Sequence, residues 1–512
     1  MAGIGFELKK LFHRRGLMAM LRAYGYAGVI CAGPMLLGVL LQFGVLIVSS
    51  WWQVGRRDLL VCMITYTLLA SLVLTSFLSM PVTRFLADML FDHDEKMILP
   101  SFWGSTGIML VVGAVLYTVF LLFSGATLMQ GALCLWLFLE MIVNWNAMSY
   151  LTAIKDYKSI LYSFVAAVLV AFVTSCVLLA LACPPVESLL FAVVLGYGVM
   201  LVWDVLLLHR YFPQSRKHPW LFLQWVDQFL PLALTGLLTT IGLFAHLVIT
   251  WCGPLGIKVK GLFYGAPYYD VPAMLAFLTI LITTVNFVVS VEVNFYPTYR
   301  SYYSLLNDGG TVKDITVAEN EMLAVLNREL HYTALKQLLV TAAVISLEKT
   351  VLNALPLGFS DVMHGYFRVL CVGYALYAVG NTVMLILLYF TDYSGALTAS
   401  ALFAGSTVVF TVIGQFFTTS LFGFGFLMGA SLFAIYATFR LASYTDNLPY
   451  RVLGQQPIVA QTKRGRFTEL GILLEHGEQR VDQSLHRSGH ARSSGKANIA
   501  ETDVIIGRNR KS

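Results

Sequence analysis

Glu140 stands in WLFLEMIVNWNAMSY (136–150), inside a hydrophobic run long enough to cross a bilayer. An ionisable group at that depth is costly, and it is a functional hypothesis by default. Trp136, Glu140, Asn144 and Ala147 are spaced three and four apart, so a helix carries them on one stripe. Lipid cannot solvate that stripe, so it faces water or another helix. As a cavity wall it would offer Trp136 for stacking, with Glu140 and Asn144 bonding hydroxyl or acetamido groups. Trp145 adds a second stacking surface. As structure it would be a buried polar knot joining its helix to its neighbours. Both readings stand at this point.

Glu348 and Lys349 lie in a second apolar run, LLVTAAVISLEKTVLNALPLGF. Sequence neighbours point in different directions on a helix, so the two need not pair with each other, and one can pair with another helix. Gating or ion coupling is their functional reading. Asn286 and Asn381 add amides to the candidate path. Asp204 and Glu292 fall near the ends of runs, where interfacial solvation accounts for them. His246 reads as a hydrogen-bonded structural group, and Arg368 can snorkel.

Intramembrane acids outnumber intramembrane bases, and 13% of residues are aromatic, clustered in FYGAPYYD (263–270) and FYPTYRSYY (295–303). A carrier of pyrophosphate-linked lipid should present cations to the phosphates. Aromatics, amides and carboxylates suit a neutral or weakly cationic glycan better. The chain carries no G-x-x-x-x-G-K-[ST], no H-E-x-x-H and no paired C-x-x-C, so no cofactor, no metal and no enzymatic activity are expected. Asp92-His93-Asp94 imitates a D-x-D metal motif but has no nucleotide-binding domain around it, and reads as a solvated loop. GFGFLMG (423–429) imitates a dinucleotide loop but reads as close helix packing. Cys183 and Cys252 read as free thiols.

The elements that must position these groups are membrane helices. The chain is 58% hydrophobic and 12% charged, whereas soluble domains are about 25% charged. Runs of about 20 apolar residues mark spans, and continuous runs rather than alternating ones mark helices. Twelve are expected, near 27–50, 59–80, 101–123, 128–150, 160–182, 188–208, 229–251, 271–293, 336–357, 366–389, 396–419 and 422–442. With the N-terminus inside, 28 of the 34 Lys and Arg residues fall on the cytoplasmic side, which predicts an N-in, C-in topology.

The expected fold is an all-α polytopic bundle of two six-helix lobes around a central cavity. Residues 1–26 form an amphipathic cytoplasmic segment for the anionic lipid surface. The N-lobe covers 27–208, a cytoplasmic linker covers 209–228, and the C-lobe covers 229–442. Within the C-lobe lies a long cytoplasmic loop, 294–335, holding the turn NDGGT and the helical pattern AENEMLAVLNREL, suited to docking a partner. The tail 443–512 is polar and expected to lack a core of its own. Nucleic acid is not an expected partner.

MAGIGFELKKLF at the start, LRAYGYAGVICAGP (21–34) and VEVNFYPTYRSYYSLL (291–306) resemble the PelG family, the inner-membrane transporters of bacterial Pel exopolysaccharide systems. The resemblance covers about residues 1–450. It implies the multidrug/oligosaccharidyl-lipid/polysaccharide flippase superfamily and export of a growing N-acetylgalactosamine-rich polymer to the periplasm for a biofilm matrix. It also implies partners: a cytosolic glycosyltransferase and inner-membrane scaffold proteins, one a cyclic di-GMP sensor. Competing readings are a lipid-linked oligosaccharide flippase, a cation-coupled small-molecule antiporter and a membrane-embedded synthase. The resemblance assigns no role to the tail.

Overall fold

The computed structural model describes residues 57–152, 154, 157–215, 218–307, 309–354, 358–417, 421–454 and 464–477, and before them only Met18, Gly44 and Val48. The expected first span, 27–50, and the amphipathic segment, 1–26, lie outside the described residues apart from those three positions. Among the described residues, 11 helices are long and apolar enough to cross a membrane. They match the other eleven expected runs.

The N-lobe helices are α1 (Arg57–Phe91), α2 (Ile98–Phe123), α3 (Leu128–Leu151), α4 (Tyr157–Ala180) and α5 (Pro185–Tyr211). Helix α3 starts on a capping box, with the Gln130 N–H donating to Thr127 Oγ1 and the Thr127 N–H to Gln130 Oε1, each 3.3 Å. Helix α1 has 35 residues, about 52 Å at 1.5 Å per residue, so it outreaches the hydrocarbon layer. The expected linker contains a short helix, α6 (Phe222–Gln228), which packs on the end of α1.

The C-lobe begins with α7 (Leu230–Trp251) and an antiparallel hairpin of β1 (Ile257–Lys260) and β2 (Phe263–Gly265). The expected span 271–293 is a broken rod. It runs as α8 (Pro267–Phe277), a 3-10 turn, α9 (Leu281–Val289), a π-helical stretch (Ser290–Phe295) and α10 (Tyr296–Asn307). The side-chain pattern stays apolar through these changes of backbone pitch, so sequence reads it as one helix.

The segment expected as a loop at 294–335 is mostly helix. Helix α10 meets α11 (Val312–Ala354) at the NDGGT turn, where Gly309 has φ +86° and the Gly310 N–H donates to the Leu305 carbonyl at 2.7 Å. Helix α11 has 43 residues, about 64 Å, so its first turns project beyond the span predicted at 336–357. Helices α12 (Asp361–Tyr389), α13 (Tyr393–Gly414) and α14 (Phe424–Thr445) complete the lobe, followed by α15 (Leu448–Gly454). Gly425 and Gly429 of GFGFLMG seat α14 against α13. A Cβ on Gly425 would stand 2.6 Å from Thr411 Cα, and one on Gly429 2.9 Å from Thr407 Cα. Within the tail, residues 464–477 depart from the expected absence of packing. A final helix, α16 (466–477), docks back on the body.

Two apolar cores result. One holds N-lobe residues with α6, the other C-lobe residues from Leu243 to Leu448. Among the described, fully buried core residues one breaks that rule. Phe263 of the C-lobe hairpin is fully buried in the N-lobe core.

Candidate functional site

Between the lobes lies a cavity of about 770 Å³. Its described walls come mainly from α1, α3, α7, α8 and α12, with Val259 and Gly265 of the hairpin, so both lobes build it. Leu68, Leu72, Leu243, Leu247 and Met274 make most of the wall apolar, and Trp145, Tyr268, Trp251 and Tyr374 add aromatic rings. Arg57 and Asp58 stand at the start of α1, and Arg57 is the one Lys or Arg among its described lining residues. The second acid, Asp270, is already engaged. It accepts from Trp251 Nε1 at 2.9 and 3.0 Å and from the Ala266 N–H at 2.9 Å, which pins the base of the hairpin to α7.

The hairpin bridges the lobes at one end of the cavity, here termed the hairpin face. Tyr66 of α1 stacks on Trp251 of α7 with centroids 4.7 Å apart. Its hydroxyl donates to the Tyr264 carbonyl at 3.1 Å and accepts from the Tyr264 N–H at 3.2 Å. Phe263 packs edge-on against Tyr66 and Phe120. The Leu262 N–H donates to the Ser124 carbonyl at 3.2 Å, and Lys260 Nζ donates to Gln130 Oε1 at 3.1 Å. Toward the opposite, linker face, Trp145 Nε1 donates to Ser71 Oγ at 3.0 Å. Beyond it α1 and α7 touch backbone to backbone, since a Cβ on Gly236 would lie 2.6 Å from the Ser76 carbonyl oxygen.

Of the candidate path and gating residues Trp136, Glu140, Asn144, Trp145, Asn286, Asn381, Glu348 and Lys349, the structure brings Trp145 alone to this cavity. Trp136 and Glu140 line a different hollow of about 990 Å³, whose described walls all come from α3, α4 and α5 of the N-lobe. Trp136 is 63% exposed there and donates Nε1 to Glu140 Oε1 at 2.7 Å. Glu140 is 9% exposed and lies over Gly198 of α5. Asn144 is buried and donates to the Tyr197 carbonyl at 3.3 Å, tying α3 to α5. Asn286 sits in a polar cluster between α9 and α11. It donates to Thr333 Oγ1 at 2.7 Å and accepts from Lys336 Nζ at 2.6 Å. Asn381 is half-buried on α12.

Glu348 finds its partner on another helix, as its spacing from Lys349 allows. Arg368 Nε of α12 donates to Glu348 Oε1 at 2.5 Å, with His364 Nδ1 at 3.7 Å. Lys349 is exposed on α11. Asp204 is fully buried rather than interfacially solvated, because α5 continues past it to Tyr211 and packs that face inward. His246 is a structural group, sharing its ring with the Tyr269 hydroxyl at 2.8 Å. Cys183 and Cys252 are free thiols. The cavity residues missed from sequence had one signal: FYGAPYYD supplies the Phe263 knob, the Tyr264 backbone bonds, Tyr268 and Asp270.

The cavity presents a mainly apolar wall with aromatic rings, and Arg57, Asp58 and Asp270 are the charged residues among its described lining. It offers no cluster of titratable groups able to hold a metal among the described residues.

Solved structures with the same fold are transporters. A multidrug resistance MATE family transporter of the MOP superfamily in an outward-facing conformation superposes with TM-score 0.56 at 15% identity, covering 84% of this chain and 97% of that one. The inward-facing conformation of such a transporter gives 0.51 at 14% identity, covering 89% and 100%. A MOP superfamily transporter from Pyrococcus furiosus, described as having a binding pocket of reverse polarity, gives 0.55 at 15% identity, covering 83% and 96%. Among curated proteins none matches. Residues 1–453 match the PelG family, described as an exopolysaccharide exporter (EPS-E). The chain therefore belongs to the PelG family and is a multi-pass membrane transporter, not an enzyme, built on the MOP superfamily fold.

Proposed function

We propose that this chain exports a growing, N-acetylgalactosamine-rich polysaccharide across the bacterial inner membrane through the inter-lobe cavity, for a biofilm matrix. The carrying observation is the cavity itself: two lobes enclose it, aromatic rings line it, and Arg57 is its one described Lys or Arg. Aromatic faces hold sugar rings by their C–H surfaces while leaving hydroxyls and acetamido groups free to exchange partners. In this reading the hairpin face is periplasmic and the linker face cytoplasmic, consistent with the clustering of Lys and Arg. The α10–α11 projection on the linker face is the docking place for the cytosolic glycosyltransferase, with scaffold proteins, including a cyclic di-GMP sensor, completing the complex.

A lipid-linked oligosaccharide flippase would need several cations around a pyrophosphate. Arg368 is engaged by Glu348, and Lys349 points outward on α11. Neither lines the cavity.

The test uses host cells lacking this protein alone. N-acetylgalactosamine-containing polymer is quantified outside the cells and in the cytosol. The proposal expects loss outside, restored by the wild-type chain. Unchanged external polymer would overturn it in favour of a small-molecule antiporter. External loss with intact synthesis of a membrane-anchored short oligosaccharide would favour the flippase.

A further inference from the structure

The hairpin belongs to the C-lobe by chain and to the N-lobe by contact. Five residues, 252–256, join α7 to β1, and Ala266 alone joins β2 to α8. A linker residue spans at most about 3.5 Å, so the hairpin cannot stay behind when α7 and α8 move. Buried bonds fix the same base. Asp270 of α8 accepts from Trp251 Nε1 of α7 and from the Ala266 N–H, and the Gly256 N–H donates to the Gly253 carbonyl at 2.9 Å. The base therefore travels with the C-lobe.

The tip is held by the N-lobe. Gly261, at φ +54°, turns the chain onto the connection between α2 and α3. A Cβ on Gly261 would lie 1.9 Å from the Ser124 carbonyl oxygen, and one on Gly125 would lie 3.3 Å from Gly261 Cα. Backbone thus meets backbone across the lobe boundary, where the Leu262 N–H donates to the Ser124 carbonyl. The Tyr66 hydroxyl bonds both backbone groups of Tyr264, as a neighbouring strand would. Lys260 ends on the Gln130 amide, which donates Nε2 to Glu187 Oε1 of α5 at 2.8 Å. None of these tip contacts pairs opposite charges directly.

Phe263 enters a socket that the N-lobe builds from its own residues. Tyr66 stacks on Phe120 at 5.8 Å, Phe120 on Tyr117 at 5.8 Å, and Tyr117 on Phe138 at 4.2 Å. The Phe263 ring stands edge-on to the first two. A socket made without the hairpin can lose its plug and take it back. Val259 and Gly265, between base and tip, line the inter-lobe cavity, so lifting the tip parts the cavity wall.

We propose that the hairpin tip, residues 260–263, is a gate that moves with the C-lobe: Phe263 leaves the N-lobe socket when the hairpin face opens and returns to it when the face closes. Tyr66 stands at the seam, with the Tyr264 backbone and the Trp251 ring parting from it. That the gate guards an exit rests on the export reading; that the face parts at the tip does not.

The first arm of the test uses the full chain in lipid nanodiscs carrying Ser124→Cys, a position fully buried beneath the tip. Maleimide labelling is followed residue by residue, with Cys134, fully buried in the N-lobe core, as internal control. Tyr66→Phe deletes both hydroxyl bonds and keeps the ring stack, and Phe263→Ala removes the plug. The gate predicts that each speeds labelling at position 124 several-fold while Cys134 stays unlabelled. Unchanged labelling in both, or labelling of Cys134 in parallel, would overturn it. The second arm bridges Gln130→Cys to Lys260→Cys in cells with a short bis-methanethiosulfonate, reversed by dithiothreitol. Export of polymer should stop on bridging and return on reduction, with each single cysteine exporting throughout. Export that continues through the bridged hairpin would overturn the gate and make the hairpin a fixed brace. If the wild-type chain restores no external polymer, the export reading fails, and labelling at position 124 alone decides the gate.

Discussion

The N-lobe hollow under Trp136 and the inter-lobe cavity beside Trp145 are of similar size, about 990 and 770 Å³. Both are mainly apolar and both carry a tryptophan whose N–H is satisfied by a side chain on the protein. They differ in who owns the walls. Helices of one lobe line the first, so its described walls share one packed core and keep their spacing. Two lobes line the second, each with its own core, joined by the hairpin on one face and by the α1–α7 contact on the other. A passenger needs walls that part and close, which is why the proposed path runs through the cavity with walls from two lobes. The intramembrane glutamate that draws the eye in the sequence lines the N-lobe hollow and not the inter-lobe cavity.

Four changes break or sharpen that contrast. The largest effect belongs to Phe263→Ala, which empties a fully buried site where one lobe plugs into the other. A cost of about 3–5 kcal/mol is expected. Hydrogen exchange should show it as lost protection across 257–265 and a loosened hairpin face, with the N-lobe hollow unaffected. Next is Gly236→Val, which wedges α1 from α7 at about 1–3 kcal/mol. Maleimide labelling of Ser76→Cys should accelerate, again without change at Trp136. Trp145→Ala leaves the fold in place and removes one stacking face. A loss of about 1.4 kcal/mol of contact corresponds to roughly tenfold less polymer exported per molecule of protein. The smallest effect is that of Glu140→Gln, which keeps the acceptor for Trp136. Export at equal membrane level should stay within about twofold, since the change touches no moving wall.

Much of the fold was legible in the sequence. Eleven expected runs became helices because hydropathy over about 20 residues is a bulk property that tertiary contacts do not reverse. The GFGFLMG glycines pack as their spacing implied, and Glu348 takes a partner off its own helix. The site was legible only in part. Helical spacing puts Trp136, Glu140 and Asn144 on one stripe, but a stripe facing α5 has the same sequence as one facing a cavity. Trp145, next to Asn144 and turned away from that stripe, reaches the cavity. IKVK and FYG are too short to declare a period of two, so the hairpin stayed hidden between spans. The breaks at 278–280 and 290–295 change backbone hydrogen bonding without changing side-chain character. Averaging over the polar tail concealed RFTELGILLEHG, whose few apolar residues are enough for a helix that borrows Asp227 as its cap.

In the proposed route the passenger moves between the lobes and not through the N-lobe hollow. The most direct measurement compares two paired variants in cells lacking the native chain, Trp145→Ala with Tyr268→Ala and Trp136→Ala with Glu140→Gln, at matched membrane levels. External N-acetylgalactosamine polymer is the readout. Passage between the lobes predicts that the first pair loses most export and the second keeps it. Normal export from the first pair with loss from the second would contradict it and move the path into the N-lobe.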